Sequence, residues 1–293
     1  GQPIQQAMLK ALSDAKAHQV PVVMSLGTRH LVEENREQIL RTIHDYVNVL
    51  AMNELEAQAL TGFADPLKAA EAILEHTDMV LITAGPTHEP IDPVRYIANR
   101  SSGKQGFSIA AMAAAAGARV TLIAGPVELT TPAGVSRIDV QTAREMHQAV
   151  QSALPADVAV MTAAVADWRA SDVIDQKLKK SAAAPPALRL EENPDILASL
   201  GASDMRPTLL IGFAAETENV LDNAQAKRMR KNADWIVAND VSGGVGQSVM
   251  GGADNRVHLV TERGIEDWPE MPKDRVAARL VERIAAAMEN GND

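Results

Sequence analysis

The chain has 293 residues and is 46% hydrophobic but only 3% aromatic, so aliphatic and alanine packing must build the core of one large domain or two ordinary ones. A net charge of −10 argues against nonspecific nucleic-acid binding through a basic face, and the absence of cysteine excludes disulfides and thiolate metal sites. No run approaches the roughly 18 apolar residues of a membrane span, and the first residues lack the charged-then-apolar order of a signal peptide, so cytoplasmic residence away from any membrane is expected.

In chain order, a helical pattern over residues 4–18 leads to a strand at Val20–Leu26, a helix at 32–44, a strand at Val47–Met52 and helices at 54–61 and 67–76. This alternation lacks the further strands that would complete a sheet, so the segment should be marginal alone. Beyond it, strands are expected at 79–83, 119–124, 157–162, 208–212 and 235–238. The Ala-rich run Phe107–Ala116 reads as a helix, as does Asp274–Met288. Residues 171–192, without periodicity, read as a long flexible loop of the kind that forms lids, and the Gly-rich run 243–252 as a second mobile loop.

The most informative stretch runs from Thr83 to Gly106, between a buried strand and a helix. Ser101, Ser102 and Gly103 fall at the expected helix start, where free N–H groups and the positive dipole end attract anions, and Lys104 adds charge there. A P-loop would need glycine where Ala98 stands and a hydroxyl residue in place of Gln105, and the dinucleotide fingerprint fails because only Gly103 and Gly106 are present. Some other phosphate geometry is implied. Positive charge is local, at Lys177, Lys179 and Lys180 and again at Lys227, Arg228, Arg230 and Lys231, clusters that by themselves read as solvated faces of a loop and a helix. None of the seven histidines occurs in a His-Glu-x-x-His pair, which disfavours a zinc site.

The Thr83–Gly106 stretch resembles the opening motif of phosphopantothenoylcysteine synthetase. Further matches follow in the family's order: Ala163-Ala-Val-Ala-Asp-Trp-Arg169, Lys177-Leu-Lys-Lys180, Asn193-Pro-Asp-Ile196, Gly212-Phe-Ala-Ala-Glu-Thr217, Lys227 with Lys231, and Ala238-Asn-Asp-Val-Ser242. The resemblance covers residues 79–290 or so, giving a synthetase domain at 79–293. It implies an α/β fold, a Rossmann-like mostly parallel sheet with helices on both faces, whose motifs gather at the carboxyl edge.

It also implies a reaction: CTP-dependent joining of 4′-phosphopantothenate to L-cysteine through an acyl-cytidylate, with Mg²⁺ as the ion. By resemblance, Asn99 holds the intermediate for the cysteine step, Arg95 contacts the substrate phosphate or orders its loop, and Lys177 closes over the triphosphate. Ala163, Ala164 and Gly103 let substrate approach the backbone. Asp167 meets the nucleotide directly or through the metal, whose other ligands are unassigned; a plain helix cap is the alternative reading for it. Pro194, Asp195, Ile196, Leu197, Phe213, Lys227 and Lys231 complete the nucleotide site. Related synthetases work as dimers, so a homodimer is expected. The family's usual flavin-dependent decarboxylase partner leaves no active-site motif here, so no FMN is expected, and Gly1 in place of Met suggests a start further upstream.

Residues 1–78 resemble a fragment of a ribokinase-like inosine-guanosine kinase, through Asn53-Glu-Leu-Glu56 and the Ala57, Leu60, Thr61 and Gly62 that follow. In that family Asn-x-x-Glu helps to organise magnesium and phosphates. The catalytic Gly-Ala-Gly-Asp tetrapeptide of those kinases is absent from the chain, so the alternatives to a ligase are a nucleoside-kinase remnant and a noncatalytic nucleotide-binding fusion. Val80–Pro86 could serve either parent, and the synthetase is expected to claim it.

Overall fold

The computed structural model describes residues 2–18, 20, 22–47, 49–74, 78–179, 187–240 and 254–290. The Gly-rich run 243–252, the end of the Ala238–Ser242 motif and Lys180 lie outside the described residues. The chain forms two compact units, Gly1–Asp78 with Ala115–Arg119, and Met79–Ala114 with Val120–Asp293. No helix among the described residues is long and apolar enough to cross a membrane.

The first unit contains α1 (Gln2–Ala17), β1 (Val23–Ser25), α2 (Arg29–Glu34), α3 (Arg36–Tyr46), β2 (Val49–Ala51), α4 (Glu54–Thr61) and α5 (Pro66–Leu74). The strands β1 and β2 pair in parallel, Val23 with Val49 and Ser25 with Ala51, and form a sheet of two. The single helix expected at 32–44 is two. Asn35 ends α2 with its backbone out of the helical region, and its Nδ2 donates to the Leu31 carbonyl at 2.9 Å. Local side-chain bonding of this kind competes with the helical ladder. Leu26, Val32, Leu60 and Ile73 make a small core.

The second unit continues with β3 (Met79–Ala84), β4 (Glu89–Asp92), β5 (Arg95–Ile97), α6 (Lys104–Ala115), β6 (Arg119–Ala124), β7 (Val135–Asp139), α7 (Ala143–Ser152) and β8 (Val158–Met161). It ends with β9 (Trp168–Ala170), β10 (Leu190–Glu192), α8 (Ile196–Gly201), β11 (Leu209–Glu216), α9 (Val220–Arg230), β12 (Trp235–Asp240), β13 (Asp254–Asn255), β14 (Val257–Thr261), β15 (Gly264–Asp267), β16 (Met271–Pro272) and α10 (Lys273–Asn290). Among the described residues its sheet has eight strands in the order β15-β14-β12-β11-β8-β3-β6-β7. The strands β3, β8, β11 and β12 run parallel, while β14 and β15 add an antiparallel edge. All five expected strands are present. The Val80–Pro86 segment supplies β3 to this sheet, as expected of the synthetase parent.

Burial on both faces explains the uninterrupted apolar runs of the central strands. Leu81, Ile123, Ala159, Met161, Leu210 and Ile236 form one core with Met146 and Val150 of α7, Ile196, Leu197 and Leu200 of α8, and Ala224 of α9. The alternate residues Val80, Ile82, Leu122, Val158, Val160, Leu209 and Ile211 are also buried and, by the two-residue period of a strand, face the other side. There α6 lies over the sheet, because a Cβ on Gly106 would come within 2.6 Å of the Ala84 Cβ and Thr162 Oγ1. The helix therefore starts at Lys104, three residues before its Ala-rich run, with glycine as the contact that admits it. Helices thus flank both faces, as the Rossmann-like expectation requires.

The loop expected over 171–192 is only partly a loop. Its end, β10, pairs antiparallel with β9, Glu192 opposite Trp168 and Leu190 opposite Ala170. A second small hairpin joins β4 and β5, and its register shifts between Pro90 and Asp92.

Candidate active site at the carboxyl edge of the sheet

The chain leaves β3 for β6 and β7 on one side, then returns to place β8 on the other. This reversal makes a topological switch point between β3 and β8, where open α/β sheets bind ligands beyond the strands' carboxyl ends. The two loops there are stitched together. The Ala163 N–H donates to Thr83 Oγ1 at 3.3 Å, the Ala164 N–H to the Gly85 carbonyl at 2.9 Å, and the Ala166 N–H to Thr87 Oγ1 at 3.0 Å. Thr162 Oγ1 donates to the Thr83 carbonyl, and Pro86 and Ala164 form an isolated bridge. Thr83 and Thr87 are buried, so these hydroxyls satisfy neighbouring backbone rather than water.

Asn99 reaches into this junction, its Nδ2 donating to the Val165 carbonyl at 2.9 Å while the side chain stays exposed. That leaves its carboxamide oxygen as an acceptor beside the 163–166 loop. Ala163 and Ala164 are half-buried, and both of their N–H groups are engaged as above, so their small side chains and carbonyls are what they offer a ligand. Gly103 is buried at φ +73°, where a Cβ would lie 3.1 Å from Val127 Cγ1, so this position calls for glycine on backbone and packing grounds together. Lys104 stands exposed at the first turn of α6.

The nucleotide candidates collect around β11 and α9. Lys227 is half-buried and donates from Nζ to the Phe213 carbonyl at 2.8 Å. Burial pushes its pKa down, opposed by the nearby carboxylates of Glu216 and Asp167 and reinforced by Arg230. Lys231, one turn further on, pairs with Asp195. Asp195 also caps α8, accepting the Ala198 N–H at 3.0 Å. Asp167 is exposed and does not cap a helix: β9 follows it, and its own carbonyl takes the Asn193 N–H at 2.8 Å. Asn193 also donates from Nδ2 to the Ala166 carbonyl at 2.8 Å, joining the Pro194–Leu197 turn to the 163–167 loop. Ile196 and Leu197 belong to the core, so any contact they make with a ligand falls to their backbone. Phe213 is half-buried.

Arg95 and Lys177 stand on a separate contact. Arg95 Nη2 donates to the Leu178 carbonyl at 2.5 Å, its Nε lies 3.6 Å from Asp92 Oδ2, and Lys177 is exposed beside Leu178. Asp92 and Asn193 were not among the residues the sequence singled out as site residues. Both lie inside the quoted motifs, and the available signal was a small polar residue beside a proline at a strand or helix end. Among the described residues no group of three or more His, Asp or Glu side chains could hold a metal ion.

The family model described as the C-terminal domain of DNA/pantothenate metabolism flavoproteins matches residues 74–288. The chain belongs to this family. Over 206 residues it is 49% identical to the coenzyme A biosynthesis bifunctional protein CoaBC of Haemophilus influenzae, covering 70% of this chain and 50% of that one. Over 242 residues it is 44% identical to the CoaBC of Escherichia coli K12, covering 78% of this chain and 58% of that one. The chain thus spans about half the length of the curated relatives it matches.

Among solved structures, the crystal structure of the C-terminal domain of CoaBC is 39% identical with a TM-score of 0.61, covering 73% of this chain and 96% of that one. A flavoprotein of the same description from Streptococcus pneumoniae, 22% identical with a TM-score of 0.60, covers 72% of this chain and all of its own, and shares the fold. The match begins within a few residues of β3, so the flavoprotein C-terminal domain and the larger unit nearly coincide. The kinase resemblance of residues 1–78 draws no support from these relatives.

Proposed function

We propose that this domain joins 4′-phosphopantothenate to L-cysteine at the expense of CTP. The carboxylate attacks the α-phosphorus, the bond to the β-phosphate breaks and pyrophosphate leaves. The cysteine amine then attacks the acyl carbon of the acyl-cytidylate, loses a proton, and CMP departs as the amide forms. The observation that carries this reading is Asn99 bonded to the Val165 carbonyl at the switch point, in a member of the flavoprotein C-terminal family. A neutral carboxamide there can hold an acyl phosphate without opposing its charge.

The remaining roles are those that the family resemblance implies for these residues. Phe213 packs on the base, with Lys227 held at its carbonyl to read the base edge or a phosphate. Lys231 must exchange Asp195 for a phosphate oxygen if it is to bind the triphosphate. Lys177 stabilises the departing pyrophosphate, and Gly103 lets the substrate approach the start of α6. Mg²⁺ would neutralise the triphosphate when bound. Asp167, a single exposed carboxylate, fits an ion carried largely by phosphates and water, as Mg²⁺ is commonly bound. A homodimer accords with the apolar side chains exposed on the two small hairpins, Tyr96 and Trp168 at 54% and Leu190 at 49%.

Pyrophosphate release from purified protein given 4′-phosphopantothenate, CTP and Mg²⁺, with and without cysteine and with ATP in parallel, tests the reading. Release that requires phosphopantothenate and a nucleotide, and turns over when cysteine is added, is the expected result. The two nucleotides decide CTP against ATP. A folded sample that releases none would overturn the ligase, and a strictly monomeric active protein in light scattering would overturn the dimer.

A further inference from the structure

Asp92 is a buried carboxylate whose two oxygens do different work. Oδ1 accepts the N–H groups of Val94 at 2.8 Å and Arg95 at 2.9 Å, which folds its own turn. Oδ2 reaches across the chain to the N–H of Leu178 at 3.1 Å. Leu178 is gripped from its other side as well, because its carbonyl takes the Arg95 guanidinium at 2.5 Å, and that guanidinium in turn lies 3.6 Å from Asp92 Oδ2. Four residues earlier the Ile174 N–H donates to the Ile91 carbonyl at 3.1 Å. The segment 174–178 has no regular structure, and Val173–Lys177 are exposed, so these three contacts fix its path along β4. Burial raises the Asp92 pKa, but the three N–H bonds and the guanidinium outweigh it, and the group is held ionised below the usual carboxylate range.

Lys177 lies next to the gripped residue. Its long side chain is exposed, and with both polar groups of Leu178 bonded the backbone from which it projects is set. We propose that Asp92 is a positioning residue: with Arg95 it clasps the Leu178 backbone and so places the Lys177 ammonium for the nucleotide step. The placement matters only on the ligase reading above, whereas the clasp itself stands on the contacts. It also gives Arg95 a second task, since one Nη is used on Leu178 while the side chain, 47% exposed, keeps other N–H groups for a ligand.

Asp92→Asn separates the two oxygens' roles. The asparagine can keep its oxygen on the Val94 and Arg95 N–H groups but must then turn an NH₂ group toward the Leu178 N–H, donor against donor. In the full chain, trypsin should cleave after Lys177 or Lys179 about tenfold faster in this variant, the scale expected for losing a charge-assisted hydrogen bond that closes a local opening. The thermal midpoint should stay near that of the wild type. Pyrophosphate release should fall in kcat, and adding Lys177→Gln to Asp92→Asn should cost little more than either change alone, as expected of residues acting through one contact.

Leu178→Pro removes the same N–H from the other partner; because trypsin does not cut a Lys–Pro bond, cleavage after Lys179 is the site read in this variant and should rise as it does in Asp92→Asn, so the test survives if Asp92→Asn does not fold. Unchanged cleavage in a folded variant, or fully multiplicative losses with Lys177→Gln, would overturn the clasp. A wild type that releases no pyrophosphate would sink the ligase reading instead, and the trypsin comparison would still decide the clasp.

Discussion

The two units use the same kind of local motif in opposite ways. In the smaller one, Asn53-x-x-Glu56 closes on itself: the Asn53 side chain accepts the Glu56 N–H at 2.9 Å, and the Glu56 carboxylate takes the Asn53 N–H at 3.1 Å and Nδ2 at 2.8 Å. Glu56 is only 5% exposed. Its hydrogen-bonding capacity is largely met by a capping box, and a motif that resembled a metal and phosphate organiser has a sufficient reason in helix capping. In the larger unit, polar groups at the strand ends keep open valences: the Asn99 oxygen, the Asp167 carboxylate and the exposed Lys104 and Lys177 ammoniums. A motif signals chemistry when the fold leaves its atoms unspent, and structure when its neighbours consume them.

Size separates the units too. Among the described residues the smaller has two strands of three residues and a core cluster of Leu26, Val32, Leu60 and Ile73, the larger an eight-stranded sheet whose central strands are buried on both sides. The comparison breaks most readily at two leucines, Leu60 and Leu210, both fully buried. Each leucine-to-alanine change should cost about 2–5 kcal/mol. Leu210→Ala should lower the stability of the large unit and with it pyrophosphate release, whereas Leu60→Ala should shift a separate, earlier transition in urea and leave release unchanged. A single transition moved equally by both would show the units to be one cooperative body.

Asn99→Asp sharpens the contrast at the site. It should still release pyrophosphate but form amide about 10²–10³-fold more slowly, a loss typical of one preorganised polar contact. Normal product yield would remove Asn99 from the cysteine step.

Lys227→Met should weaken CTP binding while leaving fold stability unchanged or higher by about 1 kcal/mol, since a half-buried charge is replaced by apolar bulk. The sign follows from the pKa: Lys227 is depressed in the folded state, so charging it disfavours folding at neutral pH, and this cost fades as pH rises from its folded value toward 10.5. In denaturant titrations the wild type should therefore gain on the methionine variant at alkaline pH; a constant gap would contradict the burial argument.

Asn53→Ala is the smallest change, about 1 kcal/mol from the lost cap. It should appear in the small unit's transition and leave nucleotide-dependent release untouched. Loss of any activity in this variant would restore a ligand role to the motif.

Much of the large unit was legible in advance. Continuous apolar runs such as Met79–Ile82 and Val158–Met161 mark strands buried on both faces, and all five expected strands lie within a few residues of their places. The small hairpins were not. The β4–β5 pair carries Pro90 and flanks Pro93, residues that argue against strands, and β9 and β10 pair across the long segment between Ala170 and Leu190. The β14–β15 hairpin did carry a signal, the alternation of buried Val257 and Leu259 with His258 before Gly264, although no strand was expected there. Ile196 and Leu197 lie in a nucleotide motif by sequence, yet their side chains complete the core.

The sequence by itself determined the strand and helix periods, the order of the motifs and the family, because these depend on residue type and on spacing along the chain. Only the tertiary structure decided which motif atoms remain available. It brought Asn99 to the Val165 carbonyl, joined Lys231 to Asp195 and closed Asp92 on Leu178 across 86 residues. Hydrogen bonds and ion pairs of this sort form between residues distant in sequence, so no local pattern encodes them; they exist once strand order and loop path have set the distances.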